Sequence, residues 1–129
     1  MIAFIGGTSL TDSTIFNGWS QKTVKTPYGK VTLKTYKDAA FLQRHDNPPL
    51  PPHKINHRAN IWALKHFGVQ KIVAINSVGS LKLAIKPGAF VIPDDFISFS
   101  QVPTFYENEM RFIVPLMDAD FAAQLYRRC

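Results

Sequence analysis

Arg44 and His45 are adjacent, and that pairing of residue types suits an anion. A guanidinium presents five donors in a planar fork that matches the oxygens of a phosphate, although an arginine at the end of a strand is usually a surface charge. Gly6-Gly7-Thr8 offers a second anion-binding feature, because a glycine turn leaves backbone amides free and the threonine adds a hydroxyl. Glycines after a strand also serve as plain turn residues, so neither feature decides the matter alone. Signatures of other chemistries are missing: there is no Walker loop, no Gly-x-Gly-x-x-Gly, no His-Glu-x-x-His and no Cys-x-x-Cys, which removes most of the case for metal or nucleoside-triphosphate chemistry. His53 and His57 stand four apart and would share a helix face, yet no third ligand lies within sequence reach, so no metal site is assigned. Asp94 and Asp95 point opposite ways in an extended chain and make a poor carboxylate dyad. His66 reads as a solvated residue on the polar side of a helix, and Cys129, at the last position, as a bystander.

The elements that must hold these groups follow from the hydrophobic pattern. Ile2 and Phe4 belong to a short apolar run that ends at Gly6-Gly7-Thr8-Ser9, a buried strand opening into a tight turn. Residues 21–25 and 30–36 flank the turn signal Thr26-Pro27-Tyr28-Gly29, and Val31, Leu33 and Thr35 alternate with lysines and threonine, which gives a hairpin with one wet face. Ala39 to Gln43 is a further strand that delivers Arg44-His45 at its end. Asn47-Pro48-Pro49-Leu50-Pro51-Pro52 then excludes helix and central strand and reads as a stiff connector. From about Lys54, Ile55, Ala59, Trp62, Ala63 and Phe67 keep a helical spacing that Gly68 stops. Val69 to Ile75 is a β-branched strand ending at Asn76-Ser77-Val78-Gly79-Ser80. Lys86-Pro87-Gly88 is a turn, Ala89 to Ile92 another strand, and Asp118 caps a last helix that carries Phe121, Ala122 and Leu125 inward. Strand and helix alternate, so the class is α/β. In such sheets ligands gather beyond the carboxyl ends of strands, and three of those ends carry Gly6-Gly7-Thr8, Arg44-His45 and Asn76-Ser77.

Size and composition bound what surrounds that site. The chain of 129 residues is one domain's worth, long enough to remove roughly two-thirds of its unfolded surface from water. With 46% hydrophobic and 19% charged residues it is globular, and a highly solvated tail protein is excluded. No apolar run approaches the ~20 residues of a membrane helix, and the first residues lack the basic flank and cleavage site of a signal peptide, so a cytoplasmic protein without a membrane partner is expected. A single cysteine agrees with a reducing compartment. The net charge of +6 is concentrated in residues 1–65, which hold nine Lys/Arg against three Asp/Glu. Lys22, Lys25, Lys30, Lys34 and Lys37 read as the solvated face of the hairpin rather than a nucleic-acid patch, and an anionic small substrate would benefit from the same field.

Taken in order, Ile5-Gly6-Gly7-Thr8, Thr26-Pro27-Tyr28-Gly29, Arg44-His45, Pro51-Pro52-His53-Lys54-Ile55-Asn56 with Arg58-Ala59-Asn60-Ile61-Trp62-Ala63-Leu64, and Asn76-Ser77-Val78-Gly79-Ser80-Leu81 with Lys86-Pro87-Gly88 resemble the methylthioadenosine phosphorylases of the purine nucleoside phosphorylase family. The resemblance covers about residues 1–106 and is most specific from Pro51 to Pro93. It implies a mixed sheet flanked by helices and a phosphorolysis in which inorganic phosphate displaces the purine of a nucleoside such as methylthioadenosine or methylthioinosine. It further implies that phosphate is a co-substrate and that no metal or organic cofactor is used. By position, Thr8, Arg44, His45, Asn76 and Ser77 match the family's phosphate ligands, and Val78 and Gly79 match backbone that lines the nucleoside.

The chain also departs from the family pattern. Asp46-Asn47-Pro48-Pro49 stands where the family usually has a glycine and then a second histidine, Ser9 replaces a usual glycine, and His57 a usual tyrosine. Phe112-Ile113-Val114-Pro115-Leu116-Met117 occupies a region that often presents a histidine to a neighbouring subunit's substrate. Family members are about twice as long, commonly form trimers, and place their base-recognition groups in the half that has no counterpart here. The expectation is therefore the amino-terminal part of a phosphorylase-like domain, incomplete on its carboxyl-terminal side, with negligible turnover alone and a tendency to self-associate. A non-catalytic remnant that binds phosphate or a partner subunit is the alternative, and a nucleic-acid module ranks third.

Overall fold

The computed structural model describes residues 1–10 and 13–128, so Cys129 lies outside the described residues. The chain divides into two compact units, Met1–Val78 and Gly79–Cys129.

The first unit is a five-stranded mixed sheet. Its strands are β1 (Ile2–Gly6), β2 (Ser20–Thr26), β3 (Gly29–Tyr36), β4 (Ala39–Gln43) and β5 (Lys71–Ala74), in the spatial order β2-β3-β4-β1-β5. β4, β1 and β5 run parallel, while β2, β3 and β4 form an antiparallel meander. The pleat sorts their side chains. Ala3 lies opposite Ala40, Ile5 opposite Leu42, and Leu42 opposite Leu33, so one face of the sheet is continuously apolar. Helix α1 (His57–His66) covers that face with Ala59, Ala63 and Leu64, and these residues with Ala3, Val31, Leu33, Ala40 and Leu42 form the core. On the opposite face Phe4 lies beside Phe41, and Phe41 stacks on Phe16 with ring centroids 3.7 Å apart. Phe16 closes a short 3-10 turn, Thr14–Phe16, whose first residue follows Ser13; the Ser13 hydroxyl accepts from the Ile15 N–H at 3.3 Å.

Two turns hold the ends of this arrangement. At the β2–β3 tip the Thr26 hydroxyl accepts from Tyr28 N–H at 3.0 Å and donates to Gly29 O at 2.7 Å. Past α1, Gly68 takes φ +82°, Gly68 N–H bonds to Lys65 O and Val69 N–H to Leu64 O, which is a Schellman closure of the helix. The helix begins at His57 rather than near Lys54, because Pro52–Lys54 forms a separate 3-10 turn and the Asn56 side chain caps the new start by accepting from Ala59 N–H at 3.0 Å. His53 and His57 thus belong to different elements.

In the second unit helix α2 (Ala119–Tyr126) starts at Asp118, whose carboxylate accepts from Phe121 N–H at 3.0 Å, and its less exposed side carries Phe121, Ala122 and Leu125. The strand expected over residues 89–92 does not form. Phe90 is 92% exposed, and this stretch has no neighbouring strand among the described residues to take up its N–H and C=O groups. β-Propensity without a partner leaves an extended but unpaired chain. All fully buried positions among the described residues lie in the first unit.

Candidate anion site at the carboxyl ends of three parallel strands

β4, β1 and β5 end side by side, so residues 43–45, 6–8 and 75–77 meet at one edge of the first unit. Arg44 spans all three. Its backbone N–H donates to Gly6 O at 3.0 Å, which carries the β4–β1 ladder one step past β4. Its guanidinium then crosses above Gly7 and donates from Nη1 to Ile75 O at 3.1 Å. Two strand spacings are about 9.6 Å, a reach that an extended arginine achieves and most side chains do not. Gly7 permits the crossing, because a Cβ there would sit 2.5 Å from Arg44 Nη2 and 2.9 Å from Cζ. Gln43 fastens the same turn from below, its Nε2 donating to Gly7 O at 3.2 Å.

Around this guanidinium the chain is open. Thr8 begins the 3-10 turn Thr8–Leu10 and is exposed, as are Asn76 and Ser77 directly after Ile75. A guanidinium presents a planar fork of donors of the kind that suits a small oxyanion.

His45 is placed differently from its neighbour. It is only 7% exposed, and its Nδ1 lies 2.8 Å from Leu50 O while Leu50 N–H returns to His45 O at 2.6 Å. A carbonyl only accepts, so Nδ1 carries the proton of this bond. The reciprocal pair closes the loop 45–50, which contains a cis Asn47–Pro48 peptide. Asp46, the acid that the sequence sets next to the site, sits at φ +67° and turns its carboxylate to Asn47 N–H at 2.8 Å. Of the remaining residues, Val78 is 83% exposed at the end of the first unit, and Gly79 opens the second with nothing within 4 Å of the place its Cβ would take.

Three participants escape a reading of residue types. Gln43 holds Gly7, the Ile75 carbonyl receives the guanidinium, and Asn60 donates from Nδ2 to Arg44 O at 3.3 Å. Asn56 and Asn60 are one helical turn apart, and that spacing is the only signal in the sequence that both face the sheet. Together with Lys30, Gln43, Arg44 and Asp46 they line a cleft of ≈ 30 Å³.

A parallel-strand edge with an arginine laid over a glycine turn defines an open α/β protein. A profile of the phosphorylase superfamily matches residues 2–129, and the chain belongs to that family. It is 44% identical over 115 residues to a probable 6-oxopurine nucleoside phosphorylase of Thermococcus kodakarensis, covering 84% of this chain and 43% of that one. Identity is 47% over 113 residues to a probable S-methyl-5'-thioinosine phosphorylase of Methanocaldococcus jannaschii, covering 84% and 44%. Among solved structures, the methylthioadenosine phosphorylase of Schistosoma mansoni in complex with adenine superposes with a TM-score of 0.72 at 32% identity, covering 88% of this chain and 46% of that one. The mixed sheet thus matches the expected fold, and the chain spans less than half the length of these relatives.

Proposed function

We propose that the chain carries the phosphate subsite of a purine nucleoside phosphorylase acting on a purine or 5′-methylthio nucleoside. The observation that supports this best is the Arg44 guanidinium, held between Gly7 and Ile75 O where three parallel strands end. In this reading Arg44 grips the anion, Thr8, Asn76 and Ser77 contact its remaining oxygens, and His45 lies beside it as the last of the ligands. Val78 and Gly79 line the nucleoside. An oxygen of inorganic phosphate attacks C1′ of the sugar, the bond from C1′ to the purine nitrogen breaks, and its electron pair leaves with the base, which takes up a proton. Positive charge develops on the sugar as that bond stretches, and a phosphate dianion fixed beside C1′ both stabilises it and supplies the nucleophile. Arg44 abstracts no proton, since a guanidinium stays charged throughout. No metal or organic cofactor takes part, and the working form is a homo-oligomer.

A second reading is phosphate binding without turnover. Calorimetric titration with inorganic phosphate tests the subsite. Release of free base from methylthioadenosine and methylthioinosine, with and without phosphate, tests turnover. Phosphate-dependent release supports the enzyme, and binding without release supports the second reading. Absence of phosphate binding, or a soaked phosphate that lies beyond hydrogen-bond reach of Thr8 and Ser77, overturns both.

A further inference from the structure

We infer that Asn60 is a positioning residue for Arg44, the group that ties the anion-binding arginine to helix α1. This inference rests on the phosphate reading of the site. Its ground is the set of restraints on a single residue: Arg44 N–H is bonded to β1 through Gly6 O, its Nη1 to the end of β5 through Ile75 O, and its carbonyl to Asn60 Nδ2 at 3.3 Å. β4 ends at Gln43, so no ladder partner in the sheet fixes the Arg44 carbonyl. The bond on this carbonyl therefore holds the Arg44 backbone at a point that the bonds on its N–H and its guanidinium leave open. The Asn60 amide reaches that carbonyl from the first turn of α1, where Asn60 N–H is itself bonded to Asn56 O at 3.0 Å. Helix and strand end are thereby fixed to each other at the residue that meets the ligand.

Two asparagines on one helix face allow the role to be separated from general stability. Asn56 also lines the cleft, but its bonds run to Ala59 N–H and, from Nδ2, to Tyr28 O at 2.6 Å, and it has no bond to Arg44. Asn60→Ala removes the donor while adding a better helix former, so the helix itself is not weakened. Asn60→Asp keeps the shape and removes the donor. The experiment measures inorganic phosphate affinity by calorimetry, thermal unfolding, and 15N relaxation of the Arg44 Nε–H group in the 129-residue chain and in N60A, N60D and N56A.

We expect N60A to lose about two- to tenfold in phosphate affinity, at most the worth of one net hydrogen bond, and N60A and N60D both to show a more mobile Arg44 Nε–H, the added carboxylate of N60D weakening anion binding by repulsion as well. N56A should unfold at lower temperature with phosphate affinity within about twofold of the parent, since its bonds support the helix start. Unchanged affinity and unchanged Arg44 relaxation in N60A and N60D overturn the inference, as does a loss in N56A as large as in N60A. Should the parent chain not bind phosphate, the phosphate reading falls, and the relaxation of Arg44 alone then decides whether Asn60 positions it.

Discussion

Adjacent glycines in this chain carry unlike loads, and alanine at each separates them. At Gly7 the three atoms nearest the added methyl all belong to the guanidinium of Arg44, the far end of a flexible side chain that can lift away. We expect Gly7→Ala to change folding stability by less than about 1 kcal/mol while reducing phosphate affinity about tenfold, approaching the ten- to hundredfold loss of Arg44→Ala that follows from charge-assisted bonds of roughly 1.5–3 kcal/mol each. At Gly6 the methyl meets Phe41 at 2.8 Å and Leu10 at 2.9 Å, and Phe41 is buried against Phe16. Gly6→Ala should therefore cost about 1–3 kcal/mol in a denaturant titration, as overpacking does. Equal behaviour of the two variants would show that Arg44 does not rest on Gly7. Arg44 and the glycine turn were legible in the sequence because each closes an apolar run. Asn60 was not, since an amide on a helix looks solvated until its partner, a carbonyl sixteen residues away, is known.

Helix α1 is held at its first turn by one side chain that serves two elements. Asn56 accepts from Ala59 N–H and donates to Tyr28 O at the hairpin tip, so it caps the helix and docks it on β2 and β3 together. Loss of an N-cap alone costs about 1 kcal/mol, and the hairpin bond adds about 1 kcal/mol more. Asn56→Ala should lower unfolding stability by about 2 kcal/mol on these grounds, and Asn56→Asp, which keeps the cap and loses the donor to Tyr28, by about half as much. Chemical denaturation of the pair checks this, and equal losses would assign everything to the cap. The five strands of the first unit were legible from alternation and turn residues. Residues 89–92 misled for a physical reason: Phe90, Val91 and Ile92 have the composition of a strand, but composition cannot supply the hydrogen-bonding neighbour that makes one.

At the scale of the whole molecule, the sheet ends on β5, which pairs with β1 on one side and with no strand on the other among the described residues. Ile72 and Ile75 on and just beyond this strand are about two-fifths exposed, at 41% and 39%. In the second unit Phe90, Phe99 and Phe112 stand more than nine-tenths in solvent, at 92%, 99% and 95%. Unpaired strand edges and apolar surface of this extent drive association. We expect oligomers or larger particles by light scattering at micromolar concentration, and a monodisperse monomer with one cooperative unfolding transition would contradict that. Net charge of +6 opposes the association at low ionic strength, so particle size should grow as salt screens it.

Sequence distance gives the candidate anion site a place in time. Gln43 reaches back 36 residues to Gly7, and Arg44 reaches forward 31 residues to Ile75, so the cradle exists only after both neighbours of β1, the middle one of the three parallel strands, have docked in register. Contacts of that span form late and slowly, because the loop entropy must be met before they contribute. A ligand confined to this cradle has little to hold in the folding transition state. Saturating phosphate, at matched ionic strength, should therefore slow unfolding in proportion to its affinity and leave the refolding rate nearly unchanged. Refolding accelerated by phosphate would place the closure of β4, β1 and β5 at the nucleus, and would make the strand ends the earliest part of the sheet to settle rather than the last.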